Sequence, residues 1–148
     1  ADGRPEGRLL NASELRRMRQ AAMEIGSHTV NHVRLTDIDD ARLIQEVTAS
    51  KAALEDAMGN SIHSFAYPCG SWDARCAEAV KKAGYVAACT TRAGWALRDR
   101  DPHLLRRVAV FNTDTVNTLA RKLCFADNEV TWPKIARYAL HRLYRQLI

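Results

Sequence analysis

The chain has no apolar run near the roughly 18 residues that a membrane-spanning helix needs. It opens without the charged, apolar and small-residue pattern of a secretory leader. It starts at Ala1 rather than at Met, so the reading treats it as processed, excised or truncated. Its four cysteines, Cys69, Cys76, Cys89 and Cys124, include no Cys-x-x-Cys pair. That argues against a structural zinc site of the finger type. In a domain of this size they read as reduced thiols, which favours a reducing compartment. No internal repeat and no low-complexity tract breaks the chain. No acidic residue follows Glu129, although Lys134, Arg137, Arg142 and Arg145 all lie beyond it.

What is present fits one domain of 148 residues, with 47% hydrophobic and 26% charged residues, able to bury a core. The formal net charge is +5, with much of the excess in the tail. The plainer reading of that tail is a solvated helix face. Basic charge suits an anionic partner such as a phospholipid surface, an acidic glycan or nucleic acid, and the sharper reading is peripheral contact of the tail with a membrane surface. Nucleic acid is not expected as a partner.

Apolar spacing and capping residues predict alternating helices and short strands. Asn11 or Ser13 opens a helix to about Ala22, followed by a strand at Met23–Ile25 that Gly26 stops. Thr36 or Asp37 caps a second helix with the stripe Leu43, Ile44, Val47, Leu54 and Met58, ended by Gly59-Asn60. A strand at Ser64–Tyr67 closes in Pro68-Cys69-Gly70. Asp73 opens a helix to about Ala83. Strands are expected at Tyr85–Thr90 and Arg107–Phe111. Asp114 starts a helix to Leu123, and Thr131-Trp132-Pro133 starts the last one. Such alternation predicts an α/β fold with parallel strands.

In folds of that kind, chemistry gathers on the loops after the strands. Two segments fall there. In Gly26–His32, His28 and His32 stand four residues apart after a Gly-Ser turn. Such a spacing on a helical turn or tight loop lets two imidazoles face one point, as a divalent metal requires. In Phe65–Gly70, FAYPCG, proline and glycine set a tight turn whose backbone N–H groups can point into a pocket.

Together, EIGSHTVNH and SFAYPCGSWD resemble the second and third motifs of the polysaccharide deacetylases, carbohydrate esterase family 4, the nodulation-protein homology domain. The family's second motif reads H-(S/T)-x-x-x-H or H-(S/T)-x-x-H, and here Thr29-Val30-Asn31 separate the histidines. The third reads R-x-x-P-Y-G, or F-A-Y-P-Y-G in one branch. SKAALEDAMG, AGYVAACTTRAG and LLRRVAV extend the likeness over Leu9–Val110. The resemblance implies a partial deformed (β/α) barrel with a basic C-terminal helix. It divides the chain into a deacetylase portion, 1–126, and a basic amphipathic helix, 127–148. It implies hydrolysis of N-acetyl groups on an amino-sugar glycan by a zinc, cobalt or nickel enzyme. His28 and His32 would be metal ligands. Tyr67, Pro68, Cys69 and Gly70 would line the substrate groove, and the Cys69 N–H would face the oxyanion. Arg107 would orient the catalytic base.

The family's first motif, T-F-D-D-G, which supplies that base and a metal-binding aspartate, does not occur. The acids before His28 are Asp2, Glu6, Glu14 and Glu24. The expectation is therefore the C-terminal portion of a deacetylase domain, or a degenerate relative that binds glycan without hydrolysing it. Asp37 or Asp73 is the stand-in considered for the third ligand. The family's Leu-x-His is not evident, so the general acid has no candidate, and His103 and His141 read as surface residues. The cytoplasm is the expected compartment, or the cell envelope if an export signal precedes Ala1.

Overall fold

The computed structural model describes residues 9–146. Asp2 and Glu6, and the side chains of His141, Arg142 and Arg145, lie outside the described residues.

Helix α1 runs Ala12–Gln20. Asn11 caps it: its side chain accepts from the Glu14 N–H at 3.0 Å while its own N–H donates to Glu14 Oε2 at 2.9 Å. This reciprocal pair satisfies donors that a helix start otherwise leaves open. Helix α2 runs Asp40–Met58, capped by Asp39 rather than by Thr36 or Asp37. Leu35–Asp37 instead forms a 3₁₀ turn just before it. Gly59, at φ 66°, ends α2 in the left-handed conformation that a side chain disfavours. Leu43, Val47 and Met58 of the expected stripe are buried, and Leu54 packs against them, but Ile44 is exposed.

Strand β1, Ser64–Ala66, pairs in parallel with β2, Ala87–Cys89, in the register Ser64–Ala87, Phe65–Ala88, Ala66–Cys89. Helix α3, Ala74–Lys82, makes the crossover between them and starts from Asp73 as expected. Single parallel bridges extend the sheet on both sides, Ser27 to Phe65 and Cys89 to Leu105. Four chain segments therefore lie side by side in sequence order, all parallel. This is the α/β, partial-barrel arrangement.

Two strand positions are corrected. The first sheet contact is Ser27, not Met23–Ile25. Its N–H donates to the Ser64 carbonyl and its carbonyl accepts from Ala66 N–H, both at 2.9 Å. The last is Leu105, not Arg107–Phe111. The N–H groups of Arg106 and Arg107 turn aside to the carbonyls of Ala96 and Arg92 at 3.1 Å. Those partners lie in the preceding loop, so no ladder continues.

The core is Leu35, Leu43, Val47, Met58, Ile62, Phe65, Tyr67, Cys76, Val80, Tyr85 and Ala88. Each large apolar side chain buried there contributes roughly 1.5–3 kcal/mol. Buried hydroxyls find partners inside it: Tyr85 Oη donates to the Val47 carbonyl at 3.1 Å, and Ser27 Oγ to Ser50 Oγ at 2.8 Å. Beyond Leu105 the chain forms α4, Val116–Phe125, and α5, Trp132–Gln146. Thr115, not Asp114, caps α4. All four cysteines are free thiols.

Candidate functional site

The segment His28–His32 is a tight loop, not a helical turn. Thr29 at φ 66° and His32 at φ 54° both occupy the left-handed region. Each such non-glycine residue costs roughly 1–2 kcal/mol, so the loop needs support from outside. Glu46 on α2 supplies it. One of its carboxylate oxygens accepts from the N–H groups of Val30 and Asn31, both at 2.9 Å. The other accepts from the Asn31 side-chain amide at 2.7 Å. Glu46 is 3% exposed. Burial pushes its carboxyl up, but the bonds from Asn31 and Val30 outweigh this and hold it below the usual glutamate range. The His32 N–H donates to Thr29 Oγ1 at 3.0 Å and closes the loop.

His28 and His32 are exposed, with ring centroids 4.9 Å apart and planes inclined at 62°. His28 Nδ1 lies 2.6 Å from the Ala66 carbonyl at the end of β1. A carbonyl only accepts, so Nδ1 is the donor, which in the neutral ring leaves Nε2 as the acceptor. That is the tautomer a metal ligand needs, held by the kind of backbone partner that orients such ligands. With Zn–N near 2.0–2.1 Å, two imidazoles at a tetrahedral angle on one ion put their centroids roughly 5 Å apart. The observed pair matches that spacing. The two rings fit as two ligands of a divalent ion.

A third ligand is not brought to them among the described residues, which contain no group of three His, Cys, Asp or Glu able to hold a metal. This corrects the stand-in role for Asp37 and Asp73. Asp73 spends Oδ1 on the Cys76 N–H at 2.8 Å as the cap of α3. Asp37 accepts from Thr36 Oγ1 at 2.9 Å beside it in the 3₁₀ turn.

The Pro68–Gly70 turn follows β1 at the same end of the sheet. Cys69, at φ 55°, is exposed. Gly70, at φ 67°, presses on the loop after β2: an added Cβ would stand 1.9 Å from Thr91 Oγ1. Ser71 Oγ and Thr36 Oγ1 are 2.5 Å apart and tie this turn to the segment after the histidines. Arg75 reinforces the tie, donating to the Ile38 carbonyl at 2.9 Å and the Leu35 carbonyl at 3.3 Å. The turn after β1 is thus tied to the 35–38 segment that follows the histidine loop. Trp72, next along the chain, is partly buried against the core near Tyr67, with the Arg92 guanidinium over its ring at 5.8 Å.

Four side chains stand elsewhere than expected. Tyr67 has no exposed surface. Its hydroxyl donates to the His103 carbonyl at 3.0 Å, and its ring packs on Phe65 at 5.3 Å. Burial raises its pKa far above the usual phenol value. As a core residue it cannot offer its ring to a groove; Pro68 is buried as well. Arg107 donates from Nε to the Thr90 carbonyl at 2.7 Å and so braces the end of β2. The arginine that meets a carboxylate is its neighbour Arg106, bidentate to Asp99 at 2.7 and 2.8 Å. His103, read as a surface residue, keeps only 12% of its side chain exposed, and its Nε2 lies 2.9 Å from the Tyr85 carbonyl.

Sequence reasoning missed Glu46. The signal was available: an acid at position 46, between the buried Leu43 and Val47 of one helical stripe, faces inward and needs donors.

The model of the family described as polysaccharide deacetylase matches residues 7–88, more than half of the chain. YxkH of Bacillus subtilis strain 168, named for the polysaccharide deacetylases, is 29% identical over 101 residues, 68% of this chain and 36% of that protein. The structure of BC0361, a polysaccharide deacetylase from Bacillus cereus, superposes with a TM-score of 0.68 at 29% identity, over 78% of this chain and 36% of that one. The deacetylase PplD of Streptococcus pyogenes, solved with acetate, shares the fold with a TM-score of 0.73 at 23% identity, over 78% of this chain and 51% of that one. The chain therefore spans between about a third and a half of these relatives.

Proposed function

Because this chain belongs to the polysaccharide deacetylase family, we propose that it takes part in metal-dependent hydrolysis of N-acetyl groups on an amino-sugar glycan. The observation that carries the reading is the histidine pair: His28 has Nδ1 tied to the Ala66 carbonyl and a ring 4.9 Å from that of His32. His28 and His32 would hold zinc, cobalt or nickel as two of its ligands. When bound, the ion supplies polarisation of the acetamide carbonyl and a water of lowered pKa. The chain's own residues do the rest of what is proposed. Glu46 and Ala66 hold the two imidazoles in place. The Cys69 N–H, on an exposed left-handed turn, faces the developing oxyanion.

Glycan binding without hydrolysis is the second reading. It is favoured by the ligand count, two rather than three among the described residues. One experiment separates the two. The full chain is titrated with Zn²⁺, Co²⁺ and Ni²⁺ by calorimetry, and acetate release is followed on N-acetylglucosamine oligomers. Binding lost in His28→Ala and His32→Ala, together with metal-stimulated acetate release, supports the hydrolase. Oligomer binding with no acetate release at any metal concentration supports the binding role. Metal affinity unchanged in both variants overturns the site itself.

A further inference from the structure

Helix α5 turns its apolar side away from the domain. Trp132, Ala136, Leu140 and Tyr144 follow at four-residue intervals, so they form one stripe along it. All four are exposed, Trp132 by 79%, Leu140 by 68% and Tyr144 by 64%. The helix is held to the body from roughly the opposite side. There Tyr138 packs edge-on against Phe125 of α4 at 5.2 Å, and Lys134 pairs with Asp127. An amphipathic helix of a soluble domain normally does the reverse.

Charge narrows what can cover the stripe. After Glu129 the chain carries Lys134, Arg137, Arg142 and Arg145 and no acid; Lys134 is paired with Asp127, which leaves the three arginines to meet an anionic surface. A second copy packed stripe to stripe would bring two such basic helices together, and their like charges repel. An anionic polymer would meet the cations and leave Trp132 and Leu140 in water. An anionic lipid surface satisfies both, since aromatic and aliphatic side chains enter the headgroup boundary while cations meet phosphates.

We propose that α5 is an interfacial helix that docks the domain on an anionic phospholipid surface through Trp132, Leu140 and Tyr144. The proposal uses no residue of the histidine site and stands apart from the deacetylase reading.

The test is sedimentation of the full chain with phosphatidylglycerol–phosphatidylcholine vesicles and with phosphatidylcholine vesicles, at low and high salt. Binding is expected to be at least about tenfold tighter to the anionic vesicles and to weaken with salt. Trp132→Ala and Leu140→Ala should each weaken it about tenfold, and Arg137→Gln about fivefold. Trp132→Phe, which keeps apolar area, should bind nearly as the parent does. Circular dichroism of each variant checks that the fold is kept. Absence of binding, equal binding to both vesicles, or a folded Trp132→Ala that binds like the parent overturns the proposal. So does self-association of the chain that Leu140→Ala abolishes without any vesicle binding, which would assign the stripe to a second copy.

Discussion

Glu46 and Lys134 each fasten a neighbouring segment through an ionised side chain, yet they work in different surroundings. Glu46 is 3% exposed and receives three N–H donors from Val30 and Asn31. The Lys134 side chain is 39% exposed and shares its charge with Asp127, itself 32% exposed. Around Glu46 lie the core residues from Leu35 to Ala88. Around Lys134 lie α4 and α5, where Lys122 and Ala126 are the buried residues described. The difference separates a region built to hold two histidines in a strained loop from one built to present a surface.

The sharpest way to break the first region is Gly70→Ala. The new methyl meets Thr91 Oγ1 at 1.9 Å, on a backbone at φ 67°. Overpacking and left-handed strain together should cost roughly 2–4 kcal/mol, measured by urea denaturation. Adding Thr91→Ala removes the Oγ1 and Cγ2 contacts but leaves the Thr91 Cβ 2.8 Å from the new methyl, so it should recover part of the overpacking share and none of the strain.

Next in size is Glu46→Ala, which deprives the loop of its charged acceptor. The expected loss is about 1.5–3 kcal/mol, with a matching drop in affinity for Zn²⁺ because the histidines lose their fixed separation. Titrating the same carboxylate sharpens the point. Its pKa in the folded chain lies below the ordinary 4.5. The stability it adds is therefore complete above pH 4.5 and is lost as pH falls through the lower folded value. A stability–pH profile of the parent should slope downward in that acid window, and Glu46→Gln should flatten part of the slope.

The smallest effect belongs to the second region. Asp127→Ala removes an ion pair that water already screens, so less than about 1 kcal/mol should be lost. Thermal unfolding followed by circular dichroism would register it as a shift of a few degrees at most. A larger loss there would mean that α5 is packed more firmly than its exposed stripe indicates.

Much of the local architecture was legible in the residues. Asn11 and Asp73 cap the helices they were expected to cap, and Gly59 ends α2, because capping depends on side chains a few positions away. Strand edges were less legible. Met23–Ile25 and Arg107–Phe111 have apolar content suited to strands, but the ladder joins Ser27 and Leu105, where backbone partners on β1 and β2 are in reach. Tyr67 shows the same limit. A motif places it beside a groove, while the Phe65 ring and the His103 carbonyl draw it into the core.

The sequence by itself determined the parallel α/β plan, the family, and the two segments that meet at the strand ends, since periodicity, caps and ordered motifs are local properties of the chain. Only the tertiary structure decided which nitrogen of His28 carries the proton, that Glu46 holds the histidine loop, and that the stripe of α5 faces outward. Each of these depends on a partner 13 or more residues away, such as the Ala66 carbonyl for His28 and Phe125 for Tyr138. Contacts at that separation form only when the elements pack.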